Sequence, residues 1–324
     1  MKSIPLSLAA PIVFIWASGF PTGKLGVAAA PPFLLTTVRL TAAAALLAVI
    51  AKFSRAAWPR GRRLGHTAVS GILTYGAQFG GCYGAMSIGV PASVTALVIA
   101  MNPVLTAALA AVLLRERLSR ARVAGLVLGV LAVVITLGGQ VLAEGTPNPG
   151  ILLALIGLLG FSAGGLYQQR FCGPIDPRAG GAVQSAAAAV AVGVLAPFEH
   201  GQDVHWAQAT AVLVWLVLAG SVLGTTCYLR AVAVGGASRA SSLFSAVPPG
   251  AALLAWPLLG ETPTPAVLIG IALGAAACLL GTRPEPAARR ARSRLESTLS
   301  VSVHQEAHPE ALSSAEQPPA QNNH

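Results

Sequence analysis

Apolar runs of about 20 residues recur along the chain, separated by short turns rich in Pro, Gly or charge. A helix of that length crosses the roughly 30 Å of hydrocarbon in a bilayer. The pattern predicts ten spans, near 4–27, 32–52, 67–88, 91–114, 121–140, 150–170, 178–198, 208–232, 239–259 and 264–282. Typical connections are IGVPAS (88–93) and GETPTP (260–265). From Arg283 the apolar runs give way to Arg, Ser, Glu, Gln and Pro, so 283–324 reads as a disordered tail.

Composition sharpens the class. Of 324 residues, 54% are apolar and only 10% charged, with a mean hydropathy of +0.69. A soluble domain carries about 25% charged residues. The chain is therefore read as an all-α polytopic membrane protein. Lys2, the first apolar run and VAAAPP (Val27–Pro32) imitate a secretory signal with its cleavage site. Pro11 and the polar ASGFPTGK favour a retained first span instead.

The net charge of +10 is unevenly placed. Alternate loops hold Lys52, Arg55, Arg60, Arg62 and Arg63, then Arg115 to Arg122, Arg170 and Arg178, and Arg230 and Arg239. The other loops hold Lys24 and otherwise acids or histidines, among them Glu144, Glu199, His205 and Glu261. Basic loops stay inside, which predicts N-in, C-in topology in the plasma membrane with both termini cytoplasmic. The same placement argues against nucleic acid as a partner, since that needs a basic face with stacking aromatics. Cys82, Cys172, Cys227 and Cys278 lie in or beside apolar runs with no framework spacing, so no disulfides are expected.

A shift of 145 residues lays the chain on itself without a gap. Cys82-Tyr83 falls on Cys227-Tyr228, Ala92-Ser93 on Ala237-Ser238, Pro103 on Pro248 and Glu116 on Glu261. Gly125 and Gly129 fall on Gly270 and Gly274, and Arg39 falls on Gln184. Each copy, 4–140 and 150–282, holds five spans, so the second must be inverted in the membrane. Inverted repeats are common in secondary transporters, where the halves exchange conformations around a site near the midplane. An inert duplicated scaffold is the less favoured alternative.

The motifs IWASGFPTGKLG (Ile15–Gly26), Pro32 with Arg39, and NPVLTAALAAVLLRERLSRARVAGLVLGVLAVVI (Asn102–Ile135), with counterparts from Val247 to Leu280, carry a resemblance. Over 4–282 the chain resembles the EamA-type ten-helix transporters of the drug/metabolite transporter superfamily. The second copy of the first motif departs, with Phe161 at the place of Trp16 and Ala163 at that of Ser18. The resemblance implies a carrier that exports amino acids, metabolites or drugs, without fixing which.

In a bundle of Ala, Leu, Val and Gly, the polar and aromatic exceptions are the candidates for a substrate cavity. They are Trp16, Ser18, Gly19, Tyr75, Gln78, Tyr83, Met101, Asn102, Tyr167, Gln168, Tyr228 and Ser245, together with Arg39. Each alone serves packing as readily as binding. A charge at the depth of Arg39 faces protein or water. It either attracts an anionic group such as a carboxylate or, the preferred reading, bonds helix-end carbonyls and snorkels outward. Pro103 and Pro248 each remove one helical hydrogen bond and are candidate bends. Gly125-x-x-x-Gly129 and Gly270-x-x-x-Gly274 read as close helix contacts, within the chain or in a homodimer. EHGQDVH (Glu199–His205) fits a solvated loop better than a metal site, and no metal or other cofactor is expected.

Glu116 sits among arginines, but its counterpart Glu261 sits beside Gly260 and Thr262. The arginines follow the membrane side and the glutamates follow the fold. Both glutamates are expected to close a span and bond the amides that start the next helix. The apolar runs hold no clustered nucleophile, acid–base pair, P-loop or HExxH, which disfavours an enzyme. The expectation is a secondary transporter in the lipid bilayer for a small molecule, working by alternating access; a non-transporting scaffold or a membrane-embedded enzyme is the alternative.

Overall fold

The computed structural model describes residues 4–114, 120–146, 148–199, 203–224 and 243–281, with Cys227, Arg230, Ala231 and Val234. Glu116, Tyr228 and the tail from 282 onward lie outside the described residues. The described residues are all-helical in their regular structure, as a bilayer demands of a chain that must pair its backbone groups internally.

In chain order the helices are α1 (Leu6–Ala29), α2 (Pro32–Phe53) and α3 (Arg62–Gly71), which runs through a π-helical stretch, Ile72–Ala77, into α4 (Gln78–Ser87). Then come α5 (Ala92–Ala100), α6 (Asn102–Leu114), α7 (Arg120–Glu144) and α8 (Gly150–Tyr167), the last ending in a π-helical turn, Gln168–Cys172. α9 (Pro177–Gly193) and α10 (Trp206–Trp215) follow, α10 continuing as a π-helical stretch, Leu216–Gly224. A 3-10 turn, Leu243–Ala246, leads into α11 (Val247–Leu259), and α12 (Pro265–Gly281) completes the described chain.

Among these, Leu6–Ala29, Pro32–Phe53, Ala92–Val112, Gly150–Cys172 and Pro177–Phe198 are long and apolar enough to cross a membrane. Val123–Gly139, Trp206–Gly220, Leu243–Leu259 and Pro265–Leu280 are shorter apolar helices. Large apolar side chains such as Phe14, Leu152, Val190 and Leu253 point away from the protein. Such a surface suits lipid and would be a liability in water. The chain is a multi-pass membrane protein.

Packing joins α2 to α9, α5 to α11 and α7 to α12, with α1 against α10 and α11, and α8 against α4 and α6. The main core lies where these pairs meet, around Leu35, Met86, Leu97, Met101 and Ile271. Between α7 and α12 the approach is close because glycine allows it. A Cβ on Gly270 would sit 3.0 Å from the Ala132 carbonyl oxygen, and one on Gly274 would sit 2.7 Å from Leu97. Gly129 faces Met101 and Ala277 in the same seam, so these glycines make contacts within the chain.

The span near 91–114 is jointed rather than bent at its proline. Met101 (φ −73°, ψ −2°) separates α5 from α6, and Pro103 lies in the first turn of α6, where a missing N–H costs nothing. Ala246 (φ −89°, ψ −8°), 145 residues later, separates the 3-10 turn from α11, and Pro248 lies in that first turn. The π-helical stretches 72–77 and 216–224 overlap under the same shift.

One end of the bundle is stitched by polar contacts. Lys24 Nζ donates to the carbonyls of Met86 (2.8 Å) and Val90 (2.9 Å). The Glu199 carboxylate accepts from the amides of Phe33 and Leu34, both at 2.9 Å, so the start of EHGQDVH caps α2. Glu261 accepts from the Ala92 amide with both oxygens, at 3.1 and 3.0 Å. This corrects the sequence expectation: Glu261 caps α5, far back in the chain, while Thr264 Oγ1 accepts from Val267 N at the start of α12. Gly260 ends α11 in the left-handed conformation (φ 69°), open to glycine without strain.

Candidate functional site

At the centre of the bundle lies a cavity of about 380 Å³. Ligand pockets commonly enclose about 300–1,000 Å³, so this one suits a small solute. Its wall draws on α1 (Trp16, Gly19), α2 (Arg39), α3–α4 (Thr74, Tyr75, Gln78, Cys82), α5 (Ile99), α8 (Phe161), α9 (Pro177, Gly181, Ser185) and α10–α11 (Trp215, Gly220, Phe244). Toward the end opposite the stitched one it reaches Leu47, Pro177 and Gly181.

Arg39 sets the electrostatics. It lies about 10 Å along the axis from Pro32, at 1.5 Å per residue, and is only 7% exposed. Its Nη1 donates to the Tyr83 hydroxyl, and its guanidinium carbon lies 3.9 Å from the centroid of the Phe79 ring. Its Nε has no hydrogen-bond partner. These partners are aromatic, so the guanidinium does not snorkel to helix-end carbonyls. Tyr75, Phe79 and Tyr83 repeat at four-residue intervals and form one aromatic face, with neighbouring centroids 6.2 and 6.1 Å apart. Across the cavity Trp16 stacks on Phe244 at 4.5 Å. Among the described residues no Asp or Glu lines the wall.

The cavity is walled by apolar and aromatic side chains with one buried cation among the described residues, a setting of the kind that holds a small solute. Comparison with known proteins decides the family. The profile of the EamA-like transporter family matches the chain twice, over residues 3–138 and 148–283. The chain belongs to the EamA-like transporter family. It is a membrane transporter for a small molecule. This EamA-like transporter is 32% identical over 302 residues to a Streptantibioticus cattleyicolor protein named "Probable terminal-alkyne amino-acid exporter", covering 87% of this chain and 94% of that one. It is 26% identical over 255 residues to the Escherichia coli K12 "Uncharacterized inner membrane transporter YedA", covering 78% and 81%. A Salmonella typhimurium "Probable amino-acid metabolite efflux pump" is 27% identical over 165 residues, about half of each chain (50% and 52%). A solved crystal structure shares the fold, with a TM-score of 0.59 at 21% identity over 85% of this chain and 95% of the other.

The cavity of the EamA-like transporter gathers Trp16, Gly19, Arg39, Tyr75, Gln78 and Tyr83 from the sequence candidates. The other described candidates sit elsewhere, for a common reason: a polar group in an apolar bundle is also held by a neighbouring helix. Ser18 Oγ donates to the Ile15 carbonyl and accepts from Trp215 Nε1 at 3.1 Å. Asn102 Oδ1 accepts from Thr106 (3.1 Å) and Ser162 (2.9 Å), tying α6 to α8. Gln168 Oε1 accepts from Gln184 Nε2 at 2.9 Å, and Tyr167 shares a 2.8 Å hydrogen bond with His66 Nδ1. Met101 is buried in the seam with Gly129 and Gly274, and half-buried Ser245 lies off the wall.

Sequence reading passed over the wall's apolar aromatics: Phe20, Phe79, Phe161, Trp215 and Phe244. In an apolar span a Phe facing a cavity has the same signature as a Phe facing lipid. Two carried a usable signal: Phe79, midway between Tyr75 and Tyr83 on one helix face, and Phe161, at the repeat position of Trp16.

Proposed function

We propose that this EamA-like transporter is an exporter, a secondary carrier that moves a small metabolite, amino acid or drug-like solute outward by alternating access. The observation that carries the reading is the central cavity, whose wall combines side chains from 4–140 with side chains from 150–282. Trp16, Gly19, Arg39, Tyr75, Gln78 and Tyr83 contact the solute. The two relatives named as an amino-acid exporter and an amino-acid metabolite efflux pump support a solute of that kind.

The moving parts are two inverted five-helix halves, ten membrane helices in all. Several observations support this division. The family profile matches twice. Packing pairs elements that correspond under the 145-residue shift, α2 with α9 and α7 with α12. The joints at Met101 and Ala246, each just ahead of a proline, also correspond. Five spans per half place the second half upside down, the arrangement that lets one site face either side.

The basic loops support N-in, C-in topology in the plasma membrane, with the tail 283–324 cytoplasmic. The stitched end is then the outer one. The end reached by Leu47, Pro177 and Gly181 faces the cytoplasm, the side from which an exporter loads. Opening outward requires releasing some of the contacts of Lys24, Glu199 and Glu261. A metabolite-tolerance and export screen, in cells with and without the chain, tests the reading. Faster loss of a specific amino acid or related metabolite from expressing cells is expected. Equal retention of every solute, with the protein correctly inserted, contradicts it.

A further inference from the structure

We propose that the cavity selects organic anions: the solute's carboxylate pairs with Arg39, its apolar body lies along the aromatic wall, and an amino group is dispensable. This rests on the reading of the cavity as the transport site and narrows the solute class.

The buried cation has unfilled bonding capacity. A guanidinium offers five N–H donors and stays charged at any physiological pH. One donor is directed at the Tyr83 hydroxyl, the Phe79 ring covers one face, and Nε is unpartnered at 7% exposure. No carboxylate on the wall neutralises it among the described residues. The acids at the stitched end are committed elsewhere, since Glu199 and Glu261 accept from the amides of Phe33, Leu34 and Ala92. In low dielectric an unpaired charge is strongly unfavourable, and an entering carboxylate relieves it with charge-assisted hydrogen bonds.

Tyr83 adds to the same polarity. Its oxygen accepts from Arg39, which leaves its own O–H to donate. A carboxylate beside Arg39 can then meet two kinds of donor and no opposing acid. A solute's ammonium finds no comparable partner. The described wall offers it aromatic faces, such as the stacked Trp16 and Phe244, and the neutral oxygens of Thr74, Gln78 and Ser185, while Arg39 repels it. Under the 145-residue shift Arg39 corresponds to Gln184, which is held by Ser70 and Gln168 off the wall, so the repeat position does not supply a second such cation.

Equilibrium dialysis of the purified full-length protein tests the proposal with three probes sharing one ring: 3-phenylpropionate, phenylalanine and phenethylamine. Wild type is expected to bind 3-phenylpropionate at least as tightly as phenylalanine and at least tenfold more tightly than phenethylamine. Arg39→Gln should bring the anion-to-cation ratio within about twofold, Arg39→Lys should keep most of it, and Tyr83→Phe should lower it severalfold. Equal binding of anion and cation by wild type overturns the proposal, as does an unchanged ratio in folded Arg39→Gln. If Arg39→Gln does not fold, the wild-type ratio and Tyr83→Phe decide. Counterflow in vesicles separately tests the carrier reading, so a cavity that binds anions without exchanging them refutes transport and leaves the selectivity standing.

Discussion

Both carboxylate oxygens of Glu261 lie on the amide of Ala92, at 3.1 and 3.0 Å, across 169 residues of sequence. The acid follows α11 and the amide opens α5, so one side chain closes the start of a distant helix. Negative charge at a helix N-terminus is favoured by the free amides and by the helix dipole. Removing it by Glu261→Ala should destabilise the protein by about 1–2 kcal/mol, the range for a lost cap. Glu261→Gln keeps one acceptor and should cost less. Thermal unfolding of the purified protein measures both.

The same relationship has an image. Under the 145-residue shift the pair becomes Glu116 and Ala237. If the halves are equivalent, Glu116→Ala should lower stability about as much as Glu261→Ala. Substituting any of the flanking Arg115, Arg117 or Arg120 should do far less. A Glu116→Ala protein with wild-type unfolding would break the correspondence.

Lys24 predicts a local effect. Its ammonium holds the carbonyls of Met86 and Val90, where α4 turns toward α5. Each hydrogen bond to a charged group contributes about 1.5–3 kcal/mol when its loss leaves the partner unpaired. Lys24→Met keeps the stem and removes the donors. Hydrogen exchange should quicken at the amides of residues 88–92 while the α7–α12 seam stays protected.

Two glycines should separate packing from transport. A methyl on Gly270 would press on Thr136, on the Ala132 carbonyl and on Leu97. Gly270→Ala should therefore cost about 1–3 kcal/mol through overpacking. A methyl on Gly19 meets nothing within 4 Å, yet Gly19 lines the cavity. Gly19→Leu should fold with an unchanged or raised melting temperature and lose most of its transport. Unfolding assays and vesicle uptake on the two variants distinguish the effects.

Much of the fold is legible in the sequence because lipid imposes simple rules. Apolar run length marks α1, α2, α8 and α9 to within a few residues, since each must cover the same thickness. Which helices touch is not written in run length. Glu261 was therefore expected to cap the next helix, although the amide it meets belongs to α5. The cavity is partly legible for a related reason. Polar atoms stand out in an apolar chain, but Ser18 meeting Trp215 and Asn102 meeting Ser162 look in sequence like Gln78, which lines the wall. The depth of Arg39 marked it as exceptional. Its two readings separated only once Phe79 and Tyr83 were seen around the guanidinium.

Counterflow in proteoliposomes tests most directly whether this cavity belongs to a carrier. Vesicles holding the purified chain are preloaded with an unlabelled amino acid or organic acid, and entry of the labelled compound is followed. The account predicts saturable uptake that overshoots equilibrium, depends on the internal solute and is lost in folded Gly19→Leu. Uptake no greater than in protein-free vesicles across a broad panel, or a linear flux indifferent to internal solute, would contradict it.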